Sequence, residues 1–145
     1  MNWDRENPFV IELEVGKNDI DALGHTNHSV YVKWLEDCSW AHALSLGLSL
    51  SDYHQLNRGM AVVRNEIDYS ASSYEGDRLL VGTWVVALEK RLKLVRQFQI
   101  IRPADRQSLL RAQTTFVCVE ISSGKPKRMP EEFFAAYEGT LVQDD

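Results

Sequence analysis

The chain has 145 residues, of which 44% are hydrophobic and 26% charged, and its formal net charge is −5. That length suits one domain with a core large enough to fold without staples, and the ordinary composition excludes a disordered or fibrous chain. Cys38 and Cys118 lack zinc-ribbon spacing, no apolar run reaches the roughly 20 residues of a membrane span, and the opening MNWDRENPF has no secretory apolar stretch. A cytoplasmic protein with no membrane span and a single domain over 1–145 is expected.

Phe9 to Val15 alternates, with Phe9, Ile11, Leu13 and Val15 against Val10, Glu12 and Glu14, the pattern of a strand with one polar face. After Gly16 comes a polar loop, and Asn27 or His28 opens the strongest helical pattern of the chain. Over residues 28–46 one broad face carries Val30, Tyr31, Trp34, Leu35, Cys38, Ala41, His42, Ser45 and Leu46. Lys33, Glu36 and Asp37 lie opposite, and Gly47 is the expected C-terminal cap. Trp40 falls on the polar side, where it is expected to meet another subunit or a long loop. Ser51 to Asn57 reads as a short helix capped by Ser51.

Four long strands are expected at 59–70, 77–89, 91–102 and 107–121, followed by a helix from Pro130 to Tyr137 with proline at its first position. Strands joined by short connections pair antiparallel, so the class is α+β, not doubly wound. An 18-residue helix is about 27 Å long and five strands span about 24 Å, dimensions that let a sheet curl around the helix. Strand 77–89 is apolar on both faces, and covering the outer one calls for a second subunit, as a dimer or a tetramer.

Charge is unevenly placed. From Lys90 to Arg128 the chain has ten Lys/Arg against Asp105 and Glu120, while the rest is acidic. Such a segment attracts a small polyanion such as a nucleotide-bearing molecule, and the acidic remainder disfavours nucleic acid.

The stretch with chemical content is Asp19 to Tyr31, DIDALGHTNHSVY, which sets two acids, two histidines and an asparagine just before the long helix. The first amide N–H groups of a helix lack internal partners, so those near His28 can stabilise a carbonyl oxygen that gains charge under attack. Asp21 is placed to act as nucleophile or general base, and Gly24 lets the backbone between them turn. Asp19 reads as structural, His42 as a core histidine and Cys38 as packing. Arg64 is expected to bridge Glu66 or Asp68, with a part in shaping the ligand site as the alternative. No Gly-x-Ser-x-Gly elbow is present, and His25 and His28 lack a third ligand nearby, so neither a serine triad nor a metal is expected.

This stretch resembles the active-site segment of hotdog-fold acyl-CoA thioesterases of the 4-hydroxybenzoyl-CoA thioesterase-like group, in which Asp-x-x-Gly precedes a central helix. The likeness continues through Tyr31–Glu36, Ala61–Arg64 to Tyr69, Gly76-Asp77, Thr115–Val119, Ser123–Pro126 and Met129-Pro130, with the group's usual proline after the second strand replaced around Ser72-Ser73. The resemblance implies a hotdog fold, an antiparallel sheet of about five strands wrapped around one long helix. It implies that Asp21 is the catalytic carboxylate, that the His28 backbone amide polarises the thioester carbonyl, and that His25, which matches a histidine of related thioesterases, is a catalytic residue. Gly24 and Asn27 then shape the substrate site, with Lys90, Arg91, Lys93 and Arg128 as contacts for coenzyme A phosphates. No cofactor is expected, because coenzyme A is part of the substrate. An acyl-carrier-protein thioesterase and a non-catalytic acyl-CoA-binding protein are the alternatives.

Overall fold

A computed structural model of the protein describes residues 2–143. The elements in chain order are β1 (Phe9–Glu14), a 3-10 turn (Lys17–Asp19), α1 (His28–Ser45), α2 (Leu50–Gln55), β2 (Arg58–Tyr69), β3 (Arg78–Glu89), β4 (Lys93–Arg102), β5 (Gln107–Glu120) and α3 (Glu131–Glu138). The strands form one five-stranded antiparallel sheet in the order β1-β3-β4-β5-β2, so the class is α+β as expected. One connection departs from the expectation. β2 and β3 are joined by a short loop but do not pair; β2 is the edge strand beside β5, and at its end the Ser70 N–H donates to the Leu109 carbonyl at 2.8 Å. Among the described residues no helix is long and apolar enough to cross a membrane.

Two compact units divide the described chain: residues 2–41, 67–83 and 98–112, and residues 42–66, 84–97 and 113–143. In the first, β1 pairs antiparallel with β3 from Phe9↔Thr83 to Glu14↔Arg78. The alternation read in the sequence sets this register: Phe9, Ile11 and Leu13 pack on the core while Glu12 pairs with Arg78. From α1, Tyr31, Trp34, Leu35 and Cys38 are buried with Leu79, Val81, Phe98, Ile100 and Leu109, each large apolar side chain adding about 2 kcal/mol of burial.

Part of the other face of this unit is covered from within the chain. A Cβ added at Gly82 would stand 2.7 Å from the Trp3 ring, so glycine is what admits the indole onto β3. The buried Gln99 amide accepts from the Asp4 N–H at 2.9 Å and donates to the Asn2 carbonyl at 3.1 Å, and Arg111 pairs with Asp4 at 2.7 Å. The N-terminal segment therefore covers part of the apolar outer face that the sequence assigned to a second subunit.

In the second unit Ala43, Leu48, Tyr53, Val85, Leu94, Cys118, Met129, Phe133 and Tyr137 form the core. Helix α1 ends as the sequence indicated: Gly47 takes φ 87°, the Gly47 N–H bonds the Leu44 carbonyl and the Leu48 N–H the Ala43 carbonyl. Ser45, expected on the buried face, is exposed, and Ala43 is buried instead. Helix α2 is capped by Ser49, not Ser51. Ser49 Oγ accepts the Asp52 N–H and Asp52 Oδ2 accepts the Ser49 N–H, a reciprocal box that needs an acid three residues on; Ser51 has His54 there. β4 starts at Lys93, because Lys90 and Arg91 both take positive φ (54° and 57°) in a tight hairpin turn closed by the Leu92 N–H on the Glu89 carbonyl. Pro130 is the extended cap of α3, outside its first turn.

Candidate active site

The loop between the 3-10 turn and α1 is a small closed structure. Ile20 bridges Thr26 antiparallel, and the Asp21 N–H donates to the His25 carbonyl at 2.7 Å. Asp21 Oδ1 accepts the Leu23 N–H at 2.8 Å and the His25 N–H at 3.2 Å, so the loop's own amides orient the carboxylate. Among the described residues nothing donates to Oδ2. Gly24 takes φ 82°, left-handed backbone suited to glycine, and its N–H closes on the Asp21 carbonyl at 3.1 Å. The His25 ring stands edge-on to Tyr74 with centroids 5.4 Å apart.

Asn27 is the helix cap. Its Oδ1 accepts the Ser29 N–H at 3.0 Å and the Ser29 hydroxyl at 2.9 Å, and its carbonyl accepts the Val30 N–H at 2.9 Å. Its own N–H returns to the Asp19 carbonyl at 2.8 Å, which supports Asp19 as a structural residue. Among the described residues no group accepts from the His28 N–H. The start of α1 thus has its amides occupied on either side of His28 and one left to meet an electronegative atom.

Below this loop lies a set of buried hydroxyls that the sequence reading passed over. Thr26, Tyr31 and Ser73 are all buried, Ser73 completely. Thr26 Oγ1 is 2.6 Å from Ser73 Oγ and donates to the Ser73 carbonyl at 3.1 Å; the Tyr31 hydroxyl is 2.8 Å from Ser73 Oγ and accepts the Ser73 N–H at 3.1 Å. The only sign in the sequence is the serine run where the resembling group has proline. Arg102 steadies the same 70–77 connection through the Ser72 carbonyl and Asp77, each at 3.0 Å, and pairs with Asp105.

The expected phosphate contacts lie in the second unit, where the Met129 N–H on the Arg91 carbonyl (2.7 Å) sets the Lys90–Lys93 turn beside Arg128. Lys90, Lys93 and Arg128 are exposed. Arg91 is committed to α3, paired with Glu131 at 2.9 Å and stacked over Phe134 at 4.5 Å. Much of the basic segment is neutralised by acids outside or within it: Arg102, Arg111 and Lys127 pair with Asp77 and Asp105, Asp4, and Glu120. Arg96 is buried and donates to His42 Nδ1 at 2.8 Å. Burial, and then the adjacent Arg96 charge, pull the His42 pKa down to about 4, so this histidine, placed in the core as the sequence indicated, is neutral at pH 7. Burial pushes the Tyr53 hydroxyl, 2.5 Å from that of Tyr137, far above its usual value. Cys38 is buried with its thiol on the Val81 carbonyl, a packing role. Arg64 pairs with Glu66 at 3.2 Å on an exposed strand.

The family model of the thioesterase-like superfamily matches residues 15–137. The chain is 29% identical over 130 residues to YneP of Bacillus subtilis, an acyl-CoA thioesterase by assignment; the match covers 88% of this chain and 93% of that protein. It is 28% identical over 138 residues to the 1,4-dihydroxy-2-naphthoyl-CoA hydrolase of Synechocystis, with 88% and 93% covered. The crystal structure of the Synechocystis 1,4-dihydroxy-2-naphthoyl-CoA thioesterase superposes with a TM-score of 0.81 at 24% identity, covering 90% of this chain and 96% of that one. A Staphylococcus aureus protein solved in complex with CoA superposes with a TM-score of 0.85 at 16% identity, covering 100% and 92%. The fold shared with these structures is the hotdog fold that the sequence resemblance implied.

Proposed function

The chain belongs to the thioesterase-like superfamily, a thioester hydrolase family, and from that premise we propose that it hydrolyses an acyl-CoA to a carboxylic acid and free coenzyme A. The observation that carries this reading is the start of α1, where the His28 N–H has no acceptor among the described residues while Asn27 occupies the Ser29 and Val30 amides, with Asp21 fixed on the same short loop. The thioester carbonyl oxygen takes the His28 N–H, and the helix dipole adds to its stabilisation as negative charge develops. Loss of one such donor costs on the order of 3 kcal/mol in barrier.

Asp21 attacks the carbonyl carbon to give a mixed anhydride that water then opens, or takes a proton from the attacking water. In either course the C–S bond breaks, the sulfur leaves as coenzyme A thiolate and is protonated, and water supplies the new oxygen. The loop amides on Oδ1 hold the carboxylate in one orientation, with His25 as the partner that supplies one of them. Gly24 and Asn27 shape this end of the site. Lys90, Lys93 and Arg128 are proposed as phosphate contacts, and Arg91 supports their turn from α3. Self-association is proposed along edge strand β2, where Val62 and Val63 are more than half exposed.

The test is thiol release from a panel of aliphatic and aromatic acyl-CoAs, run beside the same acyl groups on an acyl-carrier protein. The reading expects turnover on at least one CoA ester. Retention of acyl-CoA without thiol release would make the chain a binding protein, and release from the carrier protein alone would move the substrate class.

A further inference from the structure

We infer that Tyr31, Ser73 and Thr26 form a one-directional hydroxyl circuit that positions the Asp21 loop against the start of α1, so that all three are positioning residues for thioester hydrolysis. The inference rests on the function proposed above.

Proton accounting fixes the direction. Among the described residues the Tyr31 hydroxyl proton has Ser73 Oγ, 2.8 Å away, as its one acceptor. That leaves the Ser73 proton for Thr26 Oγ1 at 2.6 Å and sends the Thr26 hydroxyl proton to the Ser73 carbonyl, 3.1 Å away. The Tyr31 oxygen in turn accepts the Ser73 N–H at 3.1 Å, and the Thr26 N–H closes on the Ser73 carbonyl at 3.0 Å. Every proton has one destination, and no hydroxyl of the circuit can rotate without leaving a buried polar atom unpaired.

The circuit joins three segments on which the proposed chemistry depends. Thr26 ends the Asp21 loop, bridged to Ile20. Tyr31 lies in the first turn of α1, its ring edge-on to Trp34 and Tyr69 at 5.3 and 5.6 Å. Ser73 precedes Tyr74, which meets the His25 ring. None of the three hydroxyls is open to a substrate, since all are buried. Their contribution is therefore to geometry, and a displacement of about 1 Å at a catalytic group lowers turnover by as much as a hundredfold.

The experiment compares Thr26→Val, which removes one proton and keeps the shape, with Thr26→Ser, which keeps the proton, alongside Tyr31→Phe. For variants with the parent's circular dichroism, Thr26→Val and Tyr31→Phe should lower kcat about 10- to 100-fold with KM within about twofold, and Thr26→Ser should stay within about threefold of the parent. The double variant Thr26→Val/Tyr31→Phe should be no slower than the slower single variant, because both break one circuit. Parental kcat in folded Thr26→Val, or equal losses in Thr26→Val and Thr26→Ser, would overturn the inference. Should the parent itself release no thiol, the function fails separately, and the circuit is read by amide exchange over residues 21–28. Exchange should then quicken about tenfold or more in Thr26→Val and not in Thr26→Ser; equal exchange in both would overturn it.

Discussion

The two units solve the burial of polar groups in opposite ways. In the first, the interior beneath the candidate loop is neutral: Thr26, Tyr31 and Ser73 satisfy one another and the backbone. In the second, a buried guanidinium, Arg96, is held by a neutral imidazole, His42, and lies over the Tyr137 ring at 5.7 Å. The difference is one of pH. The hydroxyl circuit contains no imidazole or carboxyl group, whereas the second core is weakened when His42 takes a proton.

The largest expected effect that would break this comparison follows from His42. In the unfolded chain its imidazole binds a proton near pH 6.5, but in the folded protein burial and the Arg96 charge delay that to about pH 4. The unfolded state therefore holds more protons between those values, and stability that is complete above pH 6.5 falls as the pH drops toward 4. The loss is about 3 kcal/mol. Urea unfolding at pH 7 and pH 4.5 should show most of it, and His42→Gln, which keeps an acceptor for Arg96, should flatten that part of the profile. An unchanged slope in His42→Gln would remove the contrast between the units.

A smaller effect sharpens the comparison inside the second unit. Ser49→Ala breaks the reciprocal cap of α2 and should lower stability by about 1 kcal/mol at pH 7. The smallest is Arg64→Ala on exposed β2. Its ion pair with Glu66 lies in water, and thermal unfolding should register less than about 1 kcal/mol.

What the sequence made legible was local. The β1 alternation, the span of α1, its Gly47 terminus and the core position of His42 follow from patterns within a few turns of chain. The Asp21 loop was legible because its residues are consecutive. The hydroxyl circuit was not, since Ser73 lies 42 positions from Tyr31 and 47 from Thr26, and nothing local marks a serine as buried. The ion pairs of the basic segment were not legible for the same reason: Arg111 finds Asp4 and Arg91 finds Glu131 in space, while Lys90, Lys93 and Arg128 stay exposed. The cover over part of β3 was not legible either, because no rule of periodicity places Trp3 over Gly82. Ser49 could have been read correctly, because Asp52 stands three residues after it.

The central claim is that the loop carboxylate of Asp21 performs the chemistry while the fold holds it in place. Steady-state thiol release by Asp21→Asn, on the best acyl-CoA for the parent, tests this most directly. The account predicts turnover lowered by about two to four orders of magnitude, with thermal unfolding within a few degrees of the parent, because asparagine retains an oxygen for the Leu23 and His25 amides. Parental turnover in that variant would contradict it.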